Sequence, residues 1–324
     1  MPAEWGPHAA TWLCWPHNPE TWPGGLPEAE AEFRHFVEIL SESETVQVLT
    51  QSPEHRARVE KQVPANVSLH VFETNDSWMR DIGPTFVQRD DGVVVAIDWT
   101  FNSWGEKYPP WDRDGATASE VARLAGVERL RPGLVLEGGA LETDGEGTLL
   151  MTRSSAMGDR RNPGLTADAL EKRLSPLLGV ERFIWLDGAL EGDDTDAHID
   201  NLARFTSPGR VVCASERDRE DPNFEALQTT RRQLREAQLE VVELPLPKPL
   251  YAGSGRLPAS HANFYIANEQ VLFPSFGGES DDLALGILRE QFPKHRVVAI
   301  PSSHLVEGLG SLHCLSQPQP LPGR

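Results

Sequence analysis

The sequence predicts an α/β fold in one domain spanning residues 1–324, and three observations support this prediction. Segments in which apolar residues recur at helical spacing alternate with short apolar runs that are typical of strands. No Gly/Ser-rich linker and no block of like charges divides the chain. Two similar segments, RLAGVERL (123–130) and PLLGVERF (176–183), begin 53 residues apart, and each indicates a helix that ends at a glycine before a strand.

The predicted elements follow each other in a regular order. The first helix covers residues 27–42, where apolar residues recur at helical spacing behind early glutamates. The second covers 52–63, with Ser52 as the expected N-cap. Further helices are predicted over 116–126, 166–179, 223–238 and 281–292, and strands over 45–51, 67–73, 92–99, 148–154, 181–186, 210–215, 240–244, 270–276 and 296–301. The proline-containing end, residues 318–324, is predicted to be a loose tail.

Composition limits the classes of function. The net charge of −19 excludes a nucleic-acid binder, which needs a positive face. An acidic cleft would concentrate a cationic substrate, although solubility alone also explains the charge. Three widely spaced cysteines indicate a reducing, cytoplasmic location rather than a disulfide framework. The N-terminal segment does not resemble a signal peptide, and no apolar run reaches the roughly 18 residues of a membrane span.

Acidic residues lie at the ends of two predicted strands. In NDSWMRDIGP (75–84), Asp81 and Trp78 fall between a strand and a Gly-Pro break. They either line a site or belong to a turn pinned by Arg80, with Trp78 in the core. In LVLEGGALE (134–142), Glu137 ends a buried-type strand before two glycines that permit close backbone approach, although a surface turn also explains it.

A histidine and a cysteine complete the set of candidates. In EGDDTDAHIDNLARF (191–205), His198 and Asp200 face the same side of an extended segment, either as metal ligands or as a general base with a substrate anchor. No second His-rich cluster completes a ligand set, so we expect no metal and no cofactor. Cys314 follows His313 in a glycine-containing turn, either as a nucleophile or as a buried structural residue.

The spacing of these candidates favours one shared site. Asp81 and Glu137 are 56 residues apart, Glu137 and His198 are 61 apart, and His198 and Cys314 are 116 apart, about twice the repeat length. If each repeat sends an equivalent residue to a common centre, the four converge. Such a set suits a planar guanidinium, because that group pairs with carboxylates through two N–H groups and needs a nucleophile as strong as a thiolate.

Seven blocks spread over the chain resemble the agmatine deiminase and Porphyromonas-type peptidylarginine deiminase family: MPAEWGPH, NDSWMRDIGPTF, FNSWGEKYPPWDRD, LEGGALETDGEGTLL, GDDTDAHIDNLARF, HANFYIAN and GLGSLHCLSQPQP. The resemblance implies the pentein fold, a five-bladed, pseudo-symmetric α/β propeller with a central active site. It also implies a hydrolase that converts agmatine to N-carbamoylputrescine and ammonia through a covalent cysteine thiouronium, a step of putrescine biosynthesis.

The resemblance also implies roles for individual residues. Those assigned to catalysis are Cys314 as nucleophile, His198 as acid and base, Asp81 and Asp200 as guanidinium ligands, and Glu137 as the residue that orients His198. Those assigned to the substrate are Trp78, which lines the channel, and Asn263. For the amine end of agmatine, the hypothesis is a contact with Asp194 or Asp196.

Three features depart from the family pattern. GLGSLHC replaces Gly-Gly-Gly-Asn before Ile-His-Cys, Ala197 stands where glycine is usual, and SQPQP replaces a run of glutamines. The alternatives left open are a deiminase of peptidyl arginine or another guanidine, an amidinotransferase, and a catalytically silent acidic binding protein of the same fold. For the leading interpretation the expected partner is a small cationic guanidine, not nucleic acid or a membrane. A homo-oligomer is compatible with the sequence.

Overall fold

The computed structural model describes residues 1–253 and 255–323, which form a mixed α/β fold. Within these ranges, five sheets of three or four strands carry the fold, together with one two-stranded hairpin. In the same ranges, none of the helices combines the length and the apolar composition that crossing a bilayer requires. The alternation of helices and strands follows the sequence prediction.

The elements are numbered in chain order, unit by unit. The first unit contains β1 (His8–Cys14), α1 (Leu26–Leu40), β2 (Val46–Thr50), α2 (Pro53–Val59) and β3 (Ser68–Val71). The second contains α3 (Met79–Ile82), β4 (Thr85–Gln88), β5 (Val94–Ile97), α4 (Ser103–Glu106), α5 (Asp114–Ala125) and β6 (Glu128–Leu130). The third contains β7 (Glu142–Thr143), β8 (Thr148–Thr152), α6 (Arg153–Ala156), α7 (Ala167–Leu178) and β9 (Arg182–Leu186).

The remaining elements complete two further units. The fourth contains β10 (Ala203–Ser207), β11 (Arg210–Ser215), α8 (Asn223–Glu236) and β12 (Glu240–Pro245), and is followed by the hairpin β13 (Tyr251–Ala252) and β14 (Gly255–Arg256). The fifth contains β15 (Tyr265–Ile266), β16 (Gln270–Ser275), α9 (Glu279–Gln291) and β17 (Arg296–Pro301). The last strand is β18 (Ser316–Pro320).

The strands pair in the same way in each unit. From the second unit to the fifth, the first strand pairs antiparallel with the second, and the second reaches a parallel third strand through a helix. A helix is needed there because a tight turn can join only antiparallel neighbours. In the first unit the antiparallel partner of β1 is β18, and the sheet continues through α2 to β3.

The prediction of a loose tail is wrong for residues 318–320. These residues form the end of β18 and pair with β1. Two prolines are tolerated because β18 is the edge strand of its sheet, where one row of backbone groups needs no strand partner. Beyond the strand, the Leu321 N–H donates to the Pro7 carbonyl and the Gly323 N–H to the Gly92 carbonyl. Arg324 lies outside the described residues.

Local sequence explains how the helices begin, end and pack. The buried residues of α1 follow the i, i+3, i+4, i+7 pattern and therefore form one face: Ala29, Phe33, Phe36, Val37 and Leu40. This face packs in a core that also holds Trp15 and Val48 of the adjoining strands and loop. Helix α2 begins at the predicted cap, because the Ser52 hydroxyl accepts a hydrogen bond from the His55 N–H.

The two Gly-Val-Glu-Arg segments occupy equivalent positions. Gly126 ends α5 and Gly179 ends α7, and both have left-handed backbone angles, with φ of 67° and 65°. Each is followed by the third strand of its unit, β6 or β9. Glycine adopts this conformation without the steric strain of a Cβ, which explains why both helices end there.

The sequence patterns predicted the second and third strands of the units but missed the first. Strands β4, β7, β10 and β15 have two to five residues, too few for a clear period. Some also bury charged side chains, which conceals their apolar pattern. Arg204 in β10 is fully buried and donates from Nε to Glu142 Oε2 in β7 over 2.8 Å.

A pair of glycine substitutions tests the helix ends. At Gly126 an added Cβ meets no atom within 4 Å, but the positive φ strains any L-residue, so Gly126→Ala should destabilise the fold by about 1 kcal/mol. The matched control, Gly286→Ala, also has open space but lies inside α9 without a positive φ, and should stabilise by about 0.5–1 kcal/mol. Denaturant unfolding measures both, and effects of the same sign would contradict this account.

Candidate active site

The candidate residues converge because each occupies the same place in its unit. Each lies on the segment that leads into a first strand: Asp81 before β4, Glu137 before β7, His198 and Asp200 before β10, Asn263 before β15, and Cys314 before β18. The near-regular spacing in the sequence therefore reflects one structural position, repeated from unit to unit.

Cys314 is almost covered, with 5% of its surface exposed. Asn263 Nδ2 donates to its Sγ over 3.1 Å, and Asp200 Oδ2 lies 3.5 Å from the same sulfur. Burial, together with the charges of Asp200 and Asp81, raises the pKa of this thiol well above its usual range. The sulfur therefore carries its proton in the free protein, and a bound cation would favour the thiolate.

The imidazole of His198 is fully buried among carboxylates. Its Nδ1 lies 3.7 Å from Asp81 Oδ2 and its Nε2 lies 3.6 Å from Glu137 Oε2. Neither nitrogen has a hydrogen-bond partner among the described residues. Burial by itself would lower the pKa of His198, but Asp81, Glu137 and Asp200 outweigh it and raise that pKa to about 9. At neutral pH the ring is an imidazolium whose two N–H groups are available to a substrate or a water molecule.

Asp81 is held by one backbone donor and one indole. Its Oδ1 accepts from the Gly139 N–H over 2.9 Å, and its Oδ2 accepts from Trp104 Nε1 over 2.9 Å. Burial is the chief cause that raises the pKa of Asp81 to about 6, with Asp200 and Glu137 adding to the rise and His198 opposing it. The carboxylate is therefore largely ionised at neutral pH.

Glu137 has its own buried counterion. Arg161 Nε lies 2.9 and 3.0 Å from the two oxygens of Glu137, and both side chains are inaccessible to solvent. The same guanidinium donates to Asp196 Oδ2 over 2.5 Å and to the Thr195 carbonyl over 2.8 Å. Arg161 therefore fixes Glu137 and the segment that leads to His198 as one assembly.

Position 139 requires glycine because the catalytic side chains approach its backbone closely. A Cβ at this position would lie 2.6 Å from His198 Nδ1 and 3.0 Å from carboxylate oxygens of both Asp200 and Asp81. Real Cβ atoms do not come so close to buried atoms, and a side chain here would push the imidazole away from the carboxylates. The Gly-Gly pair after Glu137 thus permits the site to close.

Asp200 presents one partnered and one unpartnered oxygen. His313 Nδ1 donates to its Oδ2 over 2.7 Å, whereas its Oδ1 is buried without a partner among the described residues. Burial by itself would raise the pKa of Asp200, but the hydrogen bond and charge of His313, with His198 and Arg204, lower it below its usual range. Asp200 therefore remains charged and keeps an oxygen available to a ligand.

A cavity of about 620 Å³ reaches Asp81 and Cys314. Among the described residues that line it, the charged ones are six acids and one base: Glu20, Asp76, Asp81, Asp114, Asp194, Glu307 and Arg256. The single base is already neutralised, since Arg256 Nη1 lies 2.7 Å from Asp221 Oδ2. Burial and the charge of Asp76 raise the pKa of Asp114 to about 8, which shows how crowded the negative charges are. Such a cavity favours a cationic ligand.

The residues predicted to touch the substrate have different surroundings. Trp78 and Asp194 line the cavity, where Asp194 Oδ2 accepts from the Tyr108 hydroxyl over 2.5 Å. Asp196 is engaged by Arg161 and by Lys107 Nζ, which lies 2.8 Å from its Oδ1.

Asn263 lies beside the cysteine turn. Its Oδ1 accepts from the backbone N–H groups of His313 and Cys314 over 3.1 and 3.3 Å. This side chain therefore holds the turn, and its predicted substrate contact stays a prediction.

Two departures from the expected glycine pattern lie in strained backbone. Leu309, in GLGSLHC, has a φ of 73° and lines the cavity, and Ala197 has a φ of 71°. For residues with a Cβ this conformation costs about 1–2 kcal/mol, so surrounding contacts must compensate. At Ala197 the backbone N–H donates to Asp193 Oδ2 and the carbonyl accepts from Thr152, over 2.5 and 2.7 Å.

Sequence reasoning missed three residues that hold the site together. Arg161 and Trp104 hold Glu137 and Asp81, and Glu4 lies behind His313 with its Oε2 3.0 Å from His313 Nε2. Trp104 and Glu4 belong to blocks that the sequence analysis singled out without giving these residues a role. The interpretation of Arg80 as part of a local turn pair is wrong, because its Nη2 pairs with Glu4 Oε2 over 2.7 Å. Within the described ranges no group of three or more His, Cys, Asp or Glu side chains is arranged to hold a metal ion.

Comparison with protein families places this architecture among known proteins. The sequence model of the Porphyromonas-type peptidyl-arginine deiminases matches residues 1–320. An agmatine deiminase from Ectopseudomonas mendocina (strain ymp) is 37% identical over 354 residues, an alignment that covers 99% of this chain and 95% of that relative.

Two solved structures are similar over nearly their whole length. The agmatine deiminase of Enterococcus faecalis superposes with a TM-score of 0.93 at 32% identity, and the match covers 99% of this chain and 95% of that one. An agmatine deiminase from C. jejuni with substrate bound superposes with a TM-score of 0.93 at 29% identity, covering 100% of this chain and 96% of that one.

The charge on His198 can be tested directly. An NMR titration of the histidine rings should show His198 losing its proton at about pH 9. Glu137→Gln removes one of the negative charges beside the ring and should lower this pKa. The control Glu44→Gln alters another buried glutamate, whose Oε1 lies 2.8 Å from His8 Nδ1, and should leave His198 unchanged. The signal is assigned by its loss in His198→Asn, and a wild-type midpoint near 6.5 would rule out the charged ring.

Proposed function

This chain belongs to the Porphyromonas-type peptidyl-arginine deiminase family, and we propose that it is an agmatine deiminase, a hydrolase of linear amidine C–N bonds. The reaction converts agmatine and water to N-carbamoylputrescine and ammonia. The observation that carries this proposal is the convergence of one thiol, one imidazolium and three carboxylates beside a cavity with acidic walls, which reaches two of them, Cys314 and Asp81. Relatives named agmatine deiminases, matched over nearly the full chain, support the same conclusion.

The carboxylates suit the guanidinium end of the substrate. Donors hold both Asp81 and Asp200; Asp81 lines the cavity together with Cys314, and Asp200 Oδ2 lies 3.5 Å from the Cys314 sulfur. Two carboxylates pair with the N–H groups of a planar guanidinium, which places its carbon near the sulfur. Trp78, which lines the cavity, offers an aromatic face along which the aliphatic chain and the cation pack.

The outer part of the cavity suits the second cation of agmatine. Asp76 and Asp194 line the cavity, whereas Asp114, whose pKa is raised to about 8, is largely protonated at neutral pH. The described lining offers no unpaired base. A terminal ammonium gains from these charges, whereas the α-carboxylate of free arginine would meet repulsion. This difference favours agmatine over arginine, and it gives Asp194 the role of a substrate contact.

The first half of the reaction forms a covalent intermediate. Binding of the cation favours ionisation of Cys314, whose proton is lost to solvent, and the thiolate attacks the guanidinium carbon. His198, an imidazolium at neutral pH, gives its proton to the departing nitrogen. The C–N bond breaks, ammonia leaves, and a thiouronium joins the substrate carbon to the Cys314 sulfur.

The second half restores the enzyme. His198, now neutral, takes a proton from water as the oxygen attacks the thiouronium carbon. Collapse breaks the C–S bond, and N-carbamoylputrescine leaves as the sulfur regains its proton. Glu137, anchored by Arg161, keeps the imidazole oriented through both halves.

Two wider proposals follow from the family. We propose that the five repeated units are the blades of a single pentein propeller, with the site on its central axis. All three cysteines are unpaired thiols, a condition suited to a reducing compartment, so we place the enzyme in the cytoplasm as part of putrescine biosynthesis.

The nucleophile can be tested by substitution. Cys314→Ala should abolish ammonia release from agmatine, a fall of at least about a thousandfold, because the covalent step is lost while the carboxylates that bind the cation remain. The controls Cys14→Ala and Cys213→Ser should keep the chemistry, since both cysteines are fully buried and neither lines the described cavity wall. An undiminished rate in Cys314→Ala would refute the mechanism.

Substrate choice is tested by ammonia release from agmatine, arginine and a blocked arginine peptide in parallel. Release from agmatine supports the proposal. Release only from arginine or the peptide would replace agmatine by another guanidine, and a requirement for an amine acceptor would indicate amidino transfer. If none of the three substrates releases ammonia, the result would indicate a binding protein.

The acid side of the pH profile should report Asp81. Its pKa is raised to about 6, so below that pH the carboxyl is protonated and loses the charge that binds the guanidinium. We expect the slope of log kcat/KM for agmatine against pH to steepen by about one unit below pH 6. Circular dichroism at each pH serves as the control for folding. A kcat/KM that stays constant down to pH 5 in folded enzyme would contradict this assignment.

A further inference from the structure

Glu4, near the start of the chain, reaches the back of the active site. It is about nine-tenths buried, and His313 Nε2 lies 3.0 Å from its Oε2. On the opposite side of the ring, His313 Nδ1 lies 2.7 Å from Asp200 Oδ2. A continuous chain of contacts therefore runs from Glu4 through His313 to Asp200, whose Oδ2 also lies 3.5 Å from the Cys314 sulfur.

The two residues at the ends of this series of contacts, Glu4 and Asp200, are both negatively charged. Burial by itself would raise the pKa of Glu4, but Arg204, His313 and Arg80 lower it well below its usual range. Asp200 is ionised as well, as described above. An imidazole that faces a carboxylate oxygen at each nitrogen must donate at both, so His313 is an imidazolium.

The imidazolium is what permits Asp200 to stay charged in this environment. Asp200 is fully buried and shares the site with Asp81 and Glu137, and like charges in a buried site drive each other to take up protons. On the compensating side, His198 and Arg204 act on Asp200, but the hydrogen bond from His313 is the strongest of these contributions. Without the Glu4 carboxylate, the N–H at His313 Nε2 would have no negatively charged acceptor.

Glu4 is itself fixed by three elements of the fold. Arg80 of α3 donates from Nη2 to its Oε2 over 2.7 Å, and Arg204 of β10 donates from Nη2 to its Oε1 over 2.8 Å. The Ile266 N–H of β15 donates to Oε1 over 2.9 Å. Arg204 also pairs through Nε with Glu142 of β7, so its guanidinium bridges two carboxylates. These contacts give Glu4 one position and one charge state.

We infer that Glu4 is a positioning residue for the reaction: through His313 it holds Asp200 in place and keeps that carboxylate charged for the guanidinium. It does not touch the substrate, since it lies behind His313. The inference concerns the same site as the proposed function and rests on it for the assay with agmatine, but the state of His313 can be tested without any substrate.

The kinetic test is the pH profile of Glu4→Gln with agmatine. At pH 6.5 kcat/KM should fall about tenfold or more, mainly through KM, because a protonated Asp200 binds the cation poorly. At pH 9 the kcat/KM of Glu4→Gln should lie within about threefold of the wild-type value measured at the same pH, because Asp200 ionises again. Glu4→Asp, which keeps the charge, should recover part of the loss at pH 6.5. A purely structural role would instead give a loss that is the same at every pH, and that result would overturn the inference.

Glu44→Gln is the matched control. Glu44 is also buried, and its Oε1 contacts His8 Nδ1 and accepts a hydrogen bond from the Thr11 hydroxyl. None of these three side chains is hydrogen-bonded to the catalytic residues described above. Its pH profile should match the wild type in shape. If Glu4→Gln and Glu44→Gln give the same profile, the inference fails.

A second measurement covers the case in which Glu4→Gln does not fold. Nitrogen-15 NMR of the histidine rings in the wild-type protein should show His313 protonated at both nitrogens at pH 8, with the signal assigned by its loss in His313→Asn. A singly protonated ring would overturn the inference whatever the variants do. A wild-type enzyme that releases no ammonia from agmatine would refute the proposed function, and the NMR result would still decide the role of Glu4.

Discussion

Three buried carboxylates lie around one imidazole, and the architecture of the site depends on keeping them charged. Left alone in a low-dielectric interior, such groups would neutralise by taking up protons. Each therefore has a dedicated donor: Arg161 for Glu137, the Gly139 N–H and Trp104 for Asp81, and His313 for Asp200. Loss of one partner from a buried ion pair costs about 3–5 kcal/mol, so these donors support the fold as well as the chemistry. The acids that line the cavity carry further negative charge, which a cationic substrate would neutralise.

Much of the fold was accessible from the sequence because helices and inner strands carry strong local signals. Ser52, Gly126 and Gly179 mark helix ends through capping and backbone conformation, which depend on a few neighbouring residues. The first strands of the second to fifth units were missed, since they are short and some bury charges such as Arg204 that only a distant partner neutralises. The prediction of a loose tail failed for a related reason. The prolines of β18 are typical of irregular structure, and their strand depends on pairing with β1, which is distant in the sequence.

Likewise, only some of the residues of the candidate site could be predicted from the sequence. The spacing of Asp81, Glu137, His198 and Cys314 predicted their meeting, because a repeated unit returns the chain to an equivalent point. The residues that position them do not follow that spacing. Arg161 lies in a loop of the third unit and Glu4 before the first strand, and no local pattern distinguishes them from surface charges. Their roles depend on burial and on partners up to 309 residues away, which only the folded structure reveals.

The pairing of β18 with β1 has a consequence for how the enzyme is made. Glu4 is synthesised 309 residues before His313, and the sheet that pairs β1 with β18 cannot close until β18 has been made. Contacts of such long range are slow to form, because a long loop must close before they contribute. Until β18 pairs with β1, Cys314 and the Glu4 carboxylate behind His313 cannot both occupy their places in the site. Catalytic competence should therefore appear only after β18 has been made and has joined the sheet.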